Sequence, residues 1–204
     1  MDLGFSLDLE AAKSAHKGGK MATGIYTVKI EAAYVDKSKG GDPMLSLQIR
    51  SDAGEVGFFN NLGINKTWNG GSENYQYGNV MEFIAASGAT GITGNPCKRT
   101  MNDAEVDAVC IPELLGRELK VAVYQKFSKW EGNEKEELVL QQSFLTNGKT
   151  LAEQEAGKDA IAIVKTADRL KPYYDKTWGD AGATDTTAAP AAPSADAAAS
   201  LFNK

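Results

Sequence analysis

Alternating hydrophobic and polar positions divide the first part of the chain into three segments with strand character. Residues 24–36, 44–50 and 56–62 carry apolar side chains at every second position, which is the period of a half-buried β-strand. In the first two segments the apolar positions are Tyr26, Val28, Ile30, Leu45, Leu47 and Ile49. Turn-forming residues separate the segments, so the pattern predicts a three-stranded antiparallel meander.

The register of the third segment is open. If Val56, Phe58 and Leu62 face the core, Phe59 and Asn61 occupy the opposite face. A shift by one residue exchanges the two faces, so either phenylalanine is compatible with a core position.

After the meander, the period changes from that of a strand to that of a helix. Residues 79–87 predict a short helix that ends before Gly88. The positions at helical spacing are Val80, Phe83, Ile84 and Ser87. Residues 89–112 contain no pattern that assigns them.

Residues 117–144 predict a hairpin whose turn lies at residues 131–134. With Leu119, Val121 and Val123 toward the core, the opposite face and the approach to the turn carry Lys120, Tyr124, Lys126, Phe127, Lys129 and Trp130. Lysines attract phosphates and flat rings stack on unpaired bases, so this mixture suits a single-stranded nucleic acid. A hairpin with ordinary solvated lysines and partly buried rings is the competing interpretation.

Three strands, a helix and a hairpin follow the element order of an OB fold. The predicted fold class is mainly β, a five-stranded OB-type barrel with one helix between strands 3 and 4. An SH3-like barrel or a small sandwich shares much of this pattern. The predicted organisation is an N-terminal arm at 1–23, an OB-fold domain at 24–148, a helical extension at 149–178 and a flexible Ala/Pro-rich tail at 179–204.

The helical extension begins with a capping box at Thr150 and Glu153, and Gly157 ends its first helix. A second helix is predicted over residues 159–170, followed by Pro172. Its apolar side would carry Ala160, Ile163, Val164 and Ala167, and the aromatic residues that follow are Tyr173, Tyr174 and Trp178. These rings either pack the extension on the barrel or enlarge a binding surface.

The tail is too poor in apolar residues to form a core and is predicted to be disordered. It ends near Leu201 and Phe202, which would form a short hook for docking a protein partner. An inert solubilising tail explains the same composition.

Charge limits the binding interpretation to a local surface. The formal net charge is −5, and residues 24–148 contain 12 Lys and Arg against 16 Asp and Glu. A globally basic nucleic-acid binder is therefore excluded, and any DNA site must be a stripe on an acidic body.

Cysteine and histidine positions do not predict a metal site. Cys97 and Cys110 have no second pair and no nearby histidine, and His16 lies in the arm. Two reduced, packed thiols are the expectation, with one disulfide left open. No membrane span or signal peptide is expected, and the sequence predicts no cofactor.

Several short blocks together resemble the OB-fold single-stranded DNA-binding proteins of bacteriophages. The resemblance covers about six-tenths of the chain in collinear order. Its blocks are residues 24–30, 37–40, 44–47, 61–62, 115–119 and 142–144, with Gly88 after the helix. It implies an OB barrel that binds single-stranded DNA during phage replication, recombination or repair, in the cytoplasm of the infected bacterium.

The resemblance also implies a tail that recruits replication or recombination proteins. In such tails an acidic stretch precedes a terminal aromatic residue. Here only Asp180, Asp185 and Asp196 are acidic after residue 179, and the chain ends in Lys204. The tail therefore departs from the pattern.

An OB barrel binds oligonucleotides across strands 2 and 3 and at the loops bordering them. We expect Phe59, Tyr124 and Trp130 to stack bases, and the backbone to be held by basic side chains of the strands, the first loop and the hairpin. The predicted site residues are Lys37, Lys39, Gln48, Arg50, Phe59, Lys120, Tyr124, Lys126, Phe127, Lys129 and Trp130, with Trp68, Tyr75 and Tyr77 as additional stacking positions.

Three other functions compete with DNA protection as interpretations of the sequence. An enzyme is not expected, because no catalytic motif is found and the acidic run Asp103, Glu105 and Asp107 is more typical of a solvated surface than of a metal nuclease. A β-barrel adaptor or virion protein that recruits proteins without binding nucleic acid is the main alternative. A helper of strand annealing would share the DNA binding.

Overall fold

Strands dominate the part of the chain that the structure describes. The computed structural model describes residues 19–101, 104–130 and 133–176. The predictions for the arm before residue 19, for Trp178, and for the tail with Leu201 and Phe202 lie outside these residues. The predicted mainly β class is confirmed, because the described strands form one antiparallel sheet with few helices.

The sheet has seven strands in this part of the chain. They are β1 (Gly24–Lys37), β2 (Pro43–Ser51), β3 (Val56–Gly63), β4 (Asn95–Met101), β5 (Ala104–Cys110), β6 (Glu118–Trp130) and β7 (Asn133–Phe144). The α-helices are α1 (Tyr77–Ala86), α2 (Leu151–Glu155) and α3 (Ile161–Leu170). Single 3-10 turns cover Pro112–Leu114 and Lys171–Tyr173.

β1 is the strand to which most others attach. One of its edges pairs with β2 from Val28 to Lys37. Its other edge pairs with β6 from Gly24 to Lys29 and then with β5 at Tyr34 and Val35. The register with β2 shifts between Ile30 and Ala32, and such a bulge bends the strand.

The sheet is not closed into a barrel, which corrects the predicted five-stranded barrel. β3 pairs with β2 and β7 pairs with β6, but β3 and β7 are not hydrogen-bonded to each other. The two strands approach at Gly57, where the side chain of Leu138 packs closely. Further along, α1 packs against β7, and the Ser143 amide donates to the Glu82 carboxylate at 3.4 Å.

The core lies between the inner side of the sheet and α1. The predicted core positions Leu119, Val121 and Val123 of the hairpin are all buried, as expected. The predicted helix is also confirmed, since Val80, Phe83 and Ile84 are buried and Gly88 follows with a φ of 75°.

The structure resolves the open register of β3. Phe59 is 1% exposed and meets Phe83 edge-on at 6.5 Å between ring centres, whereas Phe58 is 54% exposed. A register shift opposite Leu45 and Leu47 lets both Phe59 and Leu62 face the core although they are three residues apart. Strict alternation could not predict this, because a bulge adds a residue to one strand.

The segment that carried no pattern forms the hairpin of β4 and β5. Cys97 and Cys110 form a disulfide across it, with 5.8 Å between their Cα atoms. The expectation of two reduced thiols is therefore wrong. The two cysteines are 13 positions apart in the sequence, but antiparallel pairing of the two strands brings them together.

The C-terminal extension packs on β6 and β7. The predicted capping box is confirmed, since the Glu153 amide donates to the Thr150 hydroxyl at 3.2 Å and the Thr150 amide donates to the Glu153 carboxylate at 2.9 Å. In α3, Leu170 packs with Ala122 and Phe144. The predicted apolar side is wrong at Val164, which is 62% exposed, because α3 is rotated to bury Thr166 and Leu170.

A hydrogen bond joins the two ends of the described chain. The Thr23 hydroxyl donates to the Tyr173 carbonyl oxygen at 3.3 Å. The same Thr23 hydroxyl accepts from the Gln125 amide at 3.1 Å. The start of β1, the hairpin of β6 and β7, and the end of the extension therefore meet at one place.

Reduction of the disulfide is expected to loosen the hairpin of β4 and β5 rather than the whole fold. A cross-link over a loop of this length contributes about 3 kcal/mol by restricting the open state. We expect faster amide exchange in both strands of the hairpin after reduction, and in the double variant Cys97→Ser with Cys110→Ser. Amides of β2 serve as the internal control, and equal acceleration there would contradict a local effect.

The Glu82 carboxyl is expected to make stability depend on pH. Burial raises its pKa above the ordinary value, so the folded state favours the protonated form. The resulting stabilisation is complete below the unfolded pKa of about 4.3 and is lost as the pH rises through the higher folded pKa. Glu82→Gln should therefore raise the free energy of unfolding at pH 7 and change it little near pH 4.

Urea unfolding of both proteins at the two pH values measures this difference. Glu155→Gln removes an exposed carboxylate from α2 and serves as the matched control. A Glu82→Gln variant that is less stable than the unmodified protein at pH 7 would contradict the prediction.

Candidate nucleic-acid interface

The outer face is the side of β1, β2 and β3 that points away from the core. Residues opposite each other in neighbouring antiparallel strands share a face, so Phe58 lies beside Gln48 and Val56 beside Arg50. On β1, Tyr34 lies opposite Ser46 and belongs to the same face. The outer face therefore carries an exposed aromatic ring among polar and charged side chains.

One carboxylate holds the two predicted binding residues of β2. Glu31 accepts a hydrogen bond from the Gln48 amide at 2.8 Å and is ion-paired with the Arg50 guanidinium. The hydrogen bonds from Arg50 are the main cause that lowers the pKa of Glu31 below its ordinary value. Glu31 lies at the bulge of β1, which directs it over β2.

A phosphate would have to compete with Glu31 for Arg50. Both side chains are about one-third exposed, and solvent screening makes ion pairs at the surface weak. Exchange of the carboxylate for a phosphate oxygen would therefore cost little. The ion pair fixes the position of Arg50 without removing it from a candidate site.

Lys37 at the end of β1 and Lys39 in the loop that follows are both exposed. The buried Asp42 fixes this loop, because its amide donates to the Ser38 hydroxyl at 3.0 Å and its carboxylate accepts from the Asn69 amide at 2.8 Å. The two lysines consequently extend from a preorganised loop at one end of the outer face.

The ribbon is the part of β6 and β7 beyond Val123, where these strands pair with each other and no longer with β1. Lys126 is exposed on it, Phe127 is half-buried, and Lys129 is ion-paired with Glu134 at 3.2 Å. Trp130 is the last residue of β6, but its side chain lies outside the described part of the structure.

The glutamates of the return strand balance the lysines of the ribbon, three against three. Glu136 lies 3.8 Å from the Lys20 ammonium group, and Glu137 is paired with Lys135. With Lys129 engaged as well, Lys126 is the ribbon lysine for which the described residues provide no ion pair. The ribbon is therefore a weaker phosphate-binding element than its sequence of lysines and aromatics predicts.

Three predicted site residues are withdrawn from the surface or partly covered. Phe59 is in the core. Tyr124 stacks on Tyr173 with 4.3 Å between ring centres, and Lys120 is half-buried beside it on the sheet face that α3 covers. Alternation correctly placed Lys120 and Tyr124 opposite the core, but it could not show that the C-terminal extension covers that side.

The additional stacking candidates lie in the segment between β3 and α1. Trp68 is half-buried and packs on Gly63, where an added Cβ would overlap its ring. Tyr77 is half-buried at the start of α1, whereas Tyr75 is 80% exposed. Among the three, Tyr75 is therefore the one with a ring available to a ligand.

A cluster on the outer face was missed by the sequence analysis. The Arg99 guanidinium of β4 lies 5.2 Å from the centre of the Tyr34 ring and donates to Asp36 at 2.8 and 3.1 Å. Alternation of Val106, Ala108 and Cys110 was the available sign of β5. Val109, an apolar residue at an alternate position, obscured it.

The described residues contain no group of three or more His, Cys, Asp or Glu side chains arranged to hold a metal ion. Asp107 is instead ion-paired with Lys98 at 2.6 Å. The same residues include no helix long and apolar enough to cross a membrane.

Tyr124→Ala is expected to destabilise the protein, because it removes the ring that Tyr173 covers. An aromatic pair contributes about 0.5–1.5 kcal/mol beyond its buried area, so we expect a loss of about 1–3 kcal/mol in the free energy of unfolding. Urea denaturation measures it, and Tyr124→Phe is the control that keeps the ring. An unchanged unfolding midpoint for Tyr124→Ala would show that the contact does not hold the extension.

The chain was compared with protein-family models and with curated proteins. No protein-family model matches it, and no curated protein matches its sequence. The outer face, the loop after β1 and the ribbon are the features from which a function is inferred.

Proposed function

We propose that this protein binds single-stranded DNA on its outer face, without sequence specificity. The observation that carries the proposal is Phe58, a large ring that is 54% exposed on the outer face. Gln48 lies opposite it and Arg50 two residues further along β2. A flat apolar surface beside an amide and a guanidinium suits an unpaired base and its phosphate.

We also infer that the fold derives from an OB barrel. The strands β1, β2, β3, β6 and β7 occur in OB order, α1 lies between the third and fourth of them, and they pair in the order β3-β2-β1-β6-β7. The hairpin of β4 and β5 is then an insertion. OB folds bind oligonucleotides on strands 2 and 3 between two bordering loops, which here are the loop after β1 and the tip of the ribbon.

The small number of unpaired lysines favours a modest salt dependence of binding. Lys37 and Lys39 in the loop and Lys126 on the ribbon have no ion pair within the described residues. Each phosphate neutralised on a single strand contributes about −0.7 to the slope of log affinity against log salt. Stacking of a base on Phe58 would supply binding energy that salt does not screen. An acidic protein needs such a contribution, because its net charge repels the phosphates.

The biological role follows from the resemblance to phage proteins. Protection of single-stranded DNA during replication, recombination or repair in an infected bacterium needs no catalytic residue and no cofactor. Recruitment of replication or recombination proteins by Leu201 and Phe202 belongs to the same proposal.

The glutamates of the ribbon favour a second candidate, an adaptor that recruits proteins and does not bind nucleic acid. Glu134, Glu136 and Glu137 would repel the phosphates of a DNA strand. They lie on the last hairpin, where an OB fold usually contacts its oligonucleotide. The two functions differ in one measurable property, which is affinity for a single strand.

Fluorescence anisotropy of a labelled oligothymidine, with duplex DNA carrying the same label, across a salt series tests the proposal. We expect tight binding to the single strand and weak binding to the duplex. The slope of log affinity against log salt should correspond to a few neutralised phosphates. Absence of single-strand binding at low salt would overturn the proposal and leave the adaptor.

Phe58→Ala should weaken oligothymidine binding about 10-fold or more, because stacking contributes about 1–3 kcal/mol per base. Phe58→Tyr keeps a ring and should bind like the unmodified protein. Val164→Ala removes an exposed apolar side chain from α3 and is the control for loss of surface hydrophobicity. Equal affinities for Phe58→Ala and the unmodified protein would exclude the outer face as the site.

A further inference from the structure

Tyr34 lies on the outer face, and Arg99 lies over its ring. Arg99 is 18% exposed at its side chain and reaches Tyr34 from β4, 5.2 Å from the ring centre. Its guanidinium makes a two-pronged contact with the Asp36 carboxylate at 2.8 and 3.1 Å. The Ser46 hydroxyl donates to the same carboxylate at 2.9 Å, so Asp36 is held in place from β2.

This cluster is continuous with the proposed DNA-binding surface. Tyr34 lies opposite Ser46 on β2, two residues from Gln48, which lies opposite Phe58. Strands are about 4.8 Å apart and residues about 3.4 Å apart along a strand, so Tyr34 and Phe58 are roughly 12 Å apart on one face. One stretch of single-stranded DNA can contact both rings.

We propose that Tyr34 is a second base-stacking residue and that Arg99 covers it until DNA binds. A phosphate then replaces the Asp36 carboxylate as the partner of Arg99, and the guanidinium moves from the ring face to the DNA backbone. Tyr34 becomes available to a base. This inference rests on the proposed function, because it adds residues to the same surface.

The chemistry of the three groups suits such an exchange. A guanidinium binds a carboxylate and a phosphate in the same two-pronged geometry. It also stacks on the faces of aromatic rings. When phosphate replaces Asp36, Arg99 keeps a two-pronged anionic partner, and when a base replaces the guanidinium, Tyr34 keeps a stacking partner. Asp36 acts as an internal competitor of the phosphate.

The inserted hairpin delivers Arg99 to this place. Cys110 lies opposite Tyr34 and ends β5, while Arg99 is two residues after Cys97 on β4. The disulfide therefore fixes the base of the hairpin on the outer face, next to the ring that Arg99 covers. Without the hairpin, the face would end at the edge of β1.

Oligothymidine binding by fluorescence anisotropy tests the inference with single variants of the full chain. We expect Tyr34→Ala to weaken binding about 10-fold and Tyr34→Phe to leave it unchanged. Asp36→Asn should strengthen binding several-fold, because it removes the carboxylate that competes with the phosphate for Arg99. Asp107→Asn removes the same charge from an exposed, ion-paired position on the hairpin that carries Arg99, so it measures the general effect of charge alone.

The combination of Asp36→Asn with Arg99→Gln separates the exchange from a structural role. In a protein that already carries Arg99→Gln, Asp36→Asn should change the affinity for oligothymidine only as much as Asp107→Asn does. Thermal unfolding midpoints identify any variant that is not folded, and Asp36→Asn keeps the test valid if Tyr34→Ala is unstable.

The outcomes distinguish this inference from the proposed function. If Phe58→Ala weakens binding while Tyr34→Ala and Asp36→Asn bind like the unmodified protein, the second stacking position is overturned and the DNA-binding function stands. A folded Asp36→Asn variant with reduced affinity would also overturn it, because Asp36 would then support the site. Absence of oligothymidine binding by the unmodified protein would overturn both.

Discussion

The use of both edges of β1 is the constraint on which the rest of the structure depends. With 14 residues, this strand is long enough to pair with β2 on one edge and with β6 and then β5 on the other. Its bulge bends the strand between these partners and directs Glu31 over β2. Loss of either edge pairing would separate the meander of β1 to β3 from the hairpin of β6 and β7, and the core would lose one of its walls.

Because β1 belongs to both the meander and the sheet formed with β6, its outer side has two regions. One region is covered by the C-terminal extension and the other is not. At the start of β1, Ile25 packs with Ala122 and Phe144 under the C-terminal extension. From the bulge onward the same side carries Tyr34 and Asp36, beyond the reach of α3. The extension thus determines which part of the sheet is left for a ligand, although its own residues take no part in the proposed site.

The sequence predicted the elements better than the surfaces they create. Alternation identified β1, β2, β3, β6 and β7, and helical spacing identified α1, because each pattern reports one buried side of one element. It missed β4 and β5, whose described side chains are exposed or only half-buried and therefore leave a weak pattern. It also misplaced Phe59 and could not foresee the partners of Tyr124, Arg50 or Arg99, because bulges and contacts between distant segments leave no local periodicity.

The hydrogen bond between Thr23 and Tyr173 bears on the order in which the strands could follow each other along the sequence. It places the start of β1 and the last turn of the extension next to each other. A short linker could join these two points, and new ends could be opened at the tip of the β6–β7 hairpin without interrupting the pairing of β1. The fold is therefore suited to circular permutation, in which its topology is kept while its strands are synthesised in a different order.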